Sequence, residues 1–119
     1  MTQNSMNILE RVVKAADSKQ ANDIVALDMK KVSLLADYFV ILDANNERQL
    51  NAIAQNVLEE AAKNKREIKR IEGKDEGKWI LIDLGDVVVH LFNREERELY
   101  KLERLWSDAD YVDIQEWLD

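Results

Sequence analysis

The sequence predicts one mixed α/β domain, bordering on the α+β class, in which a mostly five-stranded sheet is covered by helices. Three observations predict it. The 119 residues, 46% hydrophobic and 34% charged, suffice for a single core and are too few for two domains. Stretches with a helical apolar stripe alternate with short, branched apolar runs of strand length. The last two of those runs are separated only by Gly85-Asp86, which requires antiparallel neighbours, whereas a helix between the second and third strands permits a crossover. Both pairing senses are therefore expected in one sheet.

The first helix is expected to start near Asn7, whose side chain can cap the turn with Glu10 in the capping-box position, and Ile8, Leu9, Val12, Val13 and Ala16 form its buried stripe. Residues 24–29 read as a strand, and after a polar turn residues 38–42 read the same way. The cluster Asp43-Ala44-Asn45-Asn46 then turns the chain into a helix over 47–63, with Leu50, Ile53, Ala54, Val57, Leu58 and Ala61 on one face. Ile68 and Ile71 mark a short edge strand before a turn over 73–77. Residues 79–84 and 87–92 form the strongest strand pair, and glycine at the first turn position suits a type II′ hairpin with its positive φ. Asn93 can cap a last helix on which Leu99, Leu102 and Trp106 share a face. The domain is expected to span 1–109, and 110–119 to be an acidic C-terminal tail, since five acids and no base follow Arg104.

Composition narrows the chemistry. Without cysteine there is no disulfide, thiolate metal site or cysteine nucleophile. Seventeen basic against 24 acidic side chains give a net charge of -7, which disfavours attraction to nucleic acid or an anionic bilayer and favours a partner with a basic surface. No apolar run reaches the roughly 18 residues of a membrane span, and the first ten residues lack the pattern of a secretory signal, so a cytoplasmic protein is expected. Residues 63–78 run against the overall charge with seven basic and four acidic side chains. A solvated sheet edge, where lysine discourages open-ended pairing, accounts for them more simply than an RNA-contact patch, and no aromatic interleaving supports base stacking.

The candidate functional residues lie mostly in the second half. His90, the only histidine, shares a strand face with Val88 and Phe92; with no second histidine and no cysteine, a structural or interface role outweighs that of a general base or zinc ligand. Asp83 and Asp86 flank the hairpin and could hold magnesium, although aspartates there also accept turn amides. Asp28, Asp37 and Asp43 would form a carboxylate cleft only if their strand ends converged; solvated strand ends are the simpler reading. The sequence has no Gly-x-Gly-x-x-Gly, Walker-type loop or serine elbow, and no cofactor or metal is expected. Trp79, Leu81 and Asp83 form one strand row, with Tyr100 on the helix just downstream. An aromatic, an aliphatic and a carboxylate in line suit a protein-binding patch that engages lysine or arginine.

Longer stretches carry a resemblance. Ala21-Asn22-Asp23-Ile24-Val25-Ala26-Leu27-Asp28, Ala36-Asp37-Tyr38-Phe39-Val40-Ile41, Glu47-Arg48-Gln49 with Ala52-Ile53-Ala54, Glu72-Gly73, Trp79, Asp83-Leu84-Gly85-Asp86-Val87-Val88-Val89-His90, Phe92, Arg97, Tyr100, Leu102-Glu103-Arg104-Leu105-Trp106 and Asp108-Ala109 together look like the ribosomal silencing factor family, also called Iojap-related. The resemblance implies a nucleotidyltransferase-like mixed sheet without established transferase chemistry. It further implies binding to the large ribosomal subunit through its ribosomal protein number fourteen, obstruction of subunit joining, and repression of translation. Relatives often form dimers in crystals, while the ribosome-bound unit looks monomeric. The family's interaction surface maps onto Trp79, Leu81, Asp83, Asp86, His90, Tyr100, Glu103 and Asp108. Two departures fall before the long helix, where Ala44 replaces a usual glycine and Asn46 a common serine or threonine. A magnesium-dependent nucleotidyltransferase and a large-subunit assembly factor are the alternatives.

Overall fold

In the computed structural model, which describes residues 5–118, two helices back one face of a six-stranded sheet. Helix α1 spans Ser5–Ser18, strands β1 and β2 span Asn22–Asp28 and Tyr38–Ala44, and helix α2 spans Glu47–Lys63. Strands β3 (Arg70–Glu72), β4 (Trp79–Asp83) and β5 (Val87–Asn93) follow, then helices α3 (Arg94–Tyr100) and α4 (Leu102–Leu105), strand β6 (Asp110–Tyr111) and a 3₁₀ turn at Gln115–Trp117. The strand order is β3-β4-β5-β2-β1-β6. Only β2 and β5 pair in parallel, with Tyr38 opposite Val87 and Ala44 opposite Asn93; every other pair is antiparallel.

The main core lies between the sheet and the helix pair. Tyr38, Val40 and Leu42 from β2, Ile80 and Ile82 from β4, and Val87, Val89 and Leu91 from β5 point to one side because strand side chains alternate. They meet the apolar stripe of α1 and Leu50, Ile53, Ala54, Val57 and Ala61 of α2, all essentially inaccessible. Helix α2 starts where Asn46 Oδ1 accepts the Gln49 amide at 2.8 Å, so the asparagine caps as serine or threonine would. Ala44 is buried within β2, and the loop closes without a glycine.

The β4–β5 hairpin forms as expected: the Leu84 amide donates to the Val87 carbonyl at 2.9 Å, and Gly85 has φ +91°. The edge strand forms over Arg70–Glu72, outermost and with all three residues exposed; Ile71 lies in it, whereas Ile68 precedes it and packs against the main core.

Four expectations change. The sheet has six strands rather than five, because Asp110 and Tyr111 pair with Asp28 and Leu27. Helix α1 already includes Ser5 and Met6, so Asn7 is an internal helical residue; Met6 packs on the core, which favours extending the helix over capping it there. The last helix is broken: Lys101 adopts φ +49°, ending α3 and starting α4, which leaves Leu99 72% exposed while Leu102 is buried. Finally, the acidic segment after residue 109 contributes β6 and packs Ile114 against the main core, with Val112 also docked there.

An aromatic sheet face as the candidate binding site

The opposite sheet face carries four of the residues singled out from the sequence, Trp79, Leu81, Asp83 and His90. Cross-strand register sets Phe39, Val88 and Asp83 in one row, Ile41, His90 and Leu81 in the next, and Asp43, Phe92 and Trp79 in a third. Helices α3 and α4 cover only part of this face. Beneath them Leu27, Met29, Ile41, Phe92, Leu102 and Ala109 form a second, smaller buried cluster, and Val25, Phe39, Trp79 and Trp106 pack on it while remaining partly exposed.

The aromatic rings are continuous. Trp79 stacks on Phe92 with centroids 4.9 Å apart, and Tyr100 leans over Trp79 at 5.0 Å. Trp79 Nε1 donates to His90 Nδ1 at 3.2 Å, His90 lies 4.8 Å from Phe39, and Phe39 meets Trp106 edge-on at 5.7 Å. Such contacts fix ring orientations as well as burying area, at about 0.5–1.5 kcal/mol per pair. Burial lowers the His90 pKa from 6.5 to about 4, so the imidazole is neutral at pH 7. Because Nδ1 accepts from Trp79, the proton sits on Nε2, which is buried without a hydrogen-bond partner among the described residues. His90 therefore joins an aromatic cluster as a neutral group.

An ion pair anchors α3, the helix that carries Tyr100. Arg97, one turn earlier on α3, is buried and donates from Nη1 to Asp43 Oδ2 at 2.9 Å and to the Asn22 carbonyl at 3.3 Å. Its Nη2 lies 3.6 Å from Glu103 Oε2. One guanidinium thus ties α3 and α4 to β2 and β1, and the Lys101 amide closes α3 onto the Arg97 carbonyl at 2.9 Å. This leaves the Tyr100 ring beside Trp79 and half exposed.

The eight site residues divide accordingly. Trp79, Leu81, Asp83 and His90 share the face and Tyr100 extends it. Glu103 is turned toward Arg97, and Asp108 is exposed in the turn before β6. Asp86 stands at the hairpin tip, where Arg66 from the segment after α2 engages its carboxylate. Asp83 Oδ1 accepts the Gly85 amide at 2.8 Å, the ordinary turn role. The carboxylate cleft does not assemble: Asp28 neighbours Tyr38 at one end of β2, Asp43 lies at the other, and Asp43 is buried against Arg97 rather than solvated. Among the described residues, no group of three or more histidines and acids is arranged to hold a metal ion.

Phe39 and the Arg97–Asp43 pair were not assigned to the site from the sequence. The alternation within residues 38–42 gave a signal for Phe39, which has the parity of Ile41. Arg97 had none of this kind, because a charged side chain on a short helix reads as solvated surface.

The family model described as "Ribosomal silencing factor during starvation" matches residues 2–119. The ribosomal silencing factor RsfS of Bacillus subtilis is 48% identical over 93% of this chain and 94% of its own length. A crystal structure of a Bacillus halodurans protein, solved as a structural genomics target, superposes with a TM-score of 0.82 at 45% identity, covering 91% of this chain and 98% of that one. The mouse protein "Mitochondrial assembly of ribosomal large subunit protein 1" is 31% identical over 88% of this chain and 47% of its own length.

Proposed function

The chain belongs to the ribosomal silencing factor family, and on that premise we propose that it binds the large ribosomal subunit and obstructs its joining to the small one, repressing translation. The observation that carries this reading is the half-covered sheet face, where Phe39, Trp79, Leu81 and Tyr100 are partly exposed around His90 and bordered by Asp83. Partly exposed aromatics on a rigid sheet are the form protein anchors take, since little side-chain entropy is lost when they are buried. The partner is the subunit's ribosomal protein number fourteen: the rings supply contact area, and Asp83 and Asp108 meet its basic groups. The bound domain then excludes the small subunit by its bulk. Catalytic turnover is not part of this mechanism. The free protein can cover the same face with a second copy, giving a homodimer that yields to the ribosomal protein. Its working location is the cytoplasm, on the ribosome; no helix among the described residues is long and apolar enough to cross a membrane.

The mouse relative's name supports a second reading, in which the same contact serves large-subunit assembly. Density mapping of the protein mixed with mature and with immature large subunits tests both. The proposal requires density over the mature particle in the path of the small subunit. Occupancy confined to immature particles favours assembly, and density elsewhere on the particle overturns the proposed interface.

A further inference from the structure

Beyond the aromatic face, and resting on the reading that the large subunit is the target, we infer that Lys65 and Lys69 form a contact for RNA phosphates. Residues 63–78 carry seven bases against four acids in a chain of net charge -7. The fold sorts those bases. Lys63 faces Glu60, Arg66 is held by Asp86, and Arg70 pairs with Glu72 at 2.7 Å, whereas Lys65, Lys69, Lys74 and Lys78 are exposed and enter no ion pair among the described residues; of these four, Lys65 and Lys69 stand together. Both line, with Arg66, Glu67 and Asp86, a shallow groove of about 270 Å³ against the hairpin at residues 84–86, in which Asp86 is taken up by Arg66 and three bases face two acids. A Cβ on Gly85 would come within 3.1 Å of Lys69 Cε, so the Lys69 stem lies across the turn. This groove is at the opposite end of β5 from Tyr100, and both could be occupied at once.

Edge protection explains Lys69, which precedes β3, and Arg70, its first residue, but not Lys65. Lys65 ends α2 in a Schellman turn: its own amide donates to the Ala62 carbonyl at 3.0 Å and the Arg66 amide to Ala61 at 2.9 Å, with φ +56° at Lys65 itself. Glycine is the usual residue there because a Cβ strains the left-handed conformation. A lysine in that position costs the fold something and forms no ion pair in return. At physiological ionic strength, charges more than roughly 8 Å away are largely screened, so two free cations can act locally despite the chain's overall charge. No aromatic ring lines the groove, which points to the nucleic-acid backbone rather than to bases.

The test uses Lys65→Gly, Lys69→Gln and the double variant, titrated onto purified bacterial large subunits at several salt concentrations and, in parallel, onto isolated ribosomal protein number fourteen. Lys65→Gly should raise the urea midpoint and yet weaken subunit binding, a pairing of signs that a merely structural lysine cannot give. The double variant should lose about tenfold in subunit affinity, and its log affinity against log salt should flatten by about 1 to 2, the counterions released at two phosphates. Binding to the isolated protein should not change. Unchanged subunit affinity and salt slope overturn the inference, as does an equal loss on both targets, which would assign the lysines to the protein contact. A wild-type chain that binds no subunits overturns the proposed function itself, and this inference with it.

Discussion

His90 gives a quantitative handle on the aromatic face. Its folded pKa is about 4 because burial penalises the charged ring, against 6.5 when solvated in the unfolded chain. Between those values the unfolded chain holds a proton that the folded one does not, so stability is full above pH 6.5 and is lost as pH falls toward 4. Linkage gives a loss of about 1.4 kcal/mol by pH 5.5 and about 3 kcal/mol by pH 4 relative to pH 8. Carboxylates add their own acid dependence, so the comparison is with His90→Gln, whose amide oxygen can still accept from Trp79 Nε1 but does not titrate. Urea unfolding at pH 8, 5.5 and 4 avoids the region of the sequence pI near 4.8. The wild type should lose about 1.4 kcal/mol more than the variant between pH 8 and 5.5. Parallel losses in the two proteins would refute a buried, neutral His90, and with it the packing assigned to Trp79 and Phe39.

Three further outcomes follow from the site. Tyr100→Ala removes a ring that is half exposed over Trp79, and should weaken binding to ribosomal protein number fourteen by roughly 1–3 kcal/mol with little change in the melting temperature; calorimetry showing full affinity would reduce Tyr100 to helix packing. Asp83→Asn keeps an oxygen for the Gly85 amide, so folding should hold while binding weakens by about 1 kcal/mol and becomes less salt-sensitive; an unchanged salt slope would remove the ion pair, and a defect appearing only with magnesium would favour the nucleotidyltransferase alternative. Arg97→Met strands the buried Asp43 carboxylate and should cost about 3–5 kcal/mol in urea unfolding, whereas a change under 1 kcal/mol would mean that the pair is not desolvated.

The parts of this molecule that follow from local chemistry are legible in its sequence. The bounds of α2 are those of its apolar stripe, because Asn46 caps one end and the stripe fails at the other. Gly85 fixes the hairpin, the hairpin fixes the register of β4 on β5, and that register places Trp79, Leu81, Asp83 and His90 on one face. The break at Lys101 was hidden, since the spacing of Leu99, Leu102 and Trp106 also fits an unbroken helix. Strand β6 is two residues long with both side chains exposed, so it carries no periodicity, and its pairing with β1 depends on tertiary docking of residues 109–114. The Arg97–Asp43 pair spans 54 residues and brings together two charges that each read as solvated surface. It nevertheless ties α3, the helix that ends at Tyr100, to the sheet.

Subunit joining tests the central claim most directly. Isolated small and large ribosomal subunits are mixed with increasing amounts of the protein, and the fraction of joined particles is read by sedimentation. Joining should fall as the protein approaches one copy per large subunit, and Tyr100→Ala should need a higher concentration for the same effect. Undiminished joining when the large subunit is saturated with protein would contradict steric silencing.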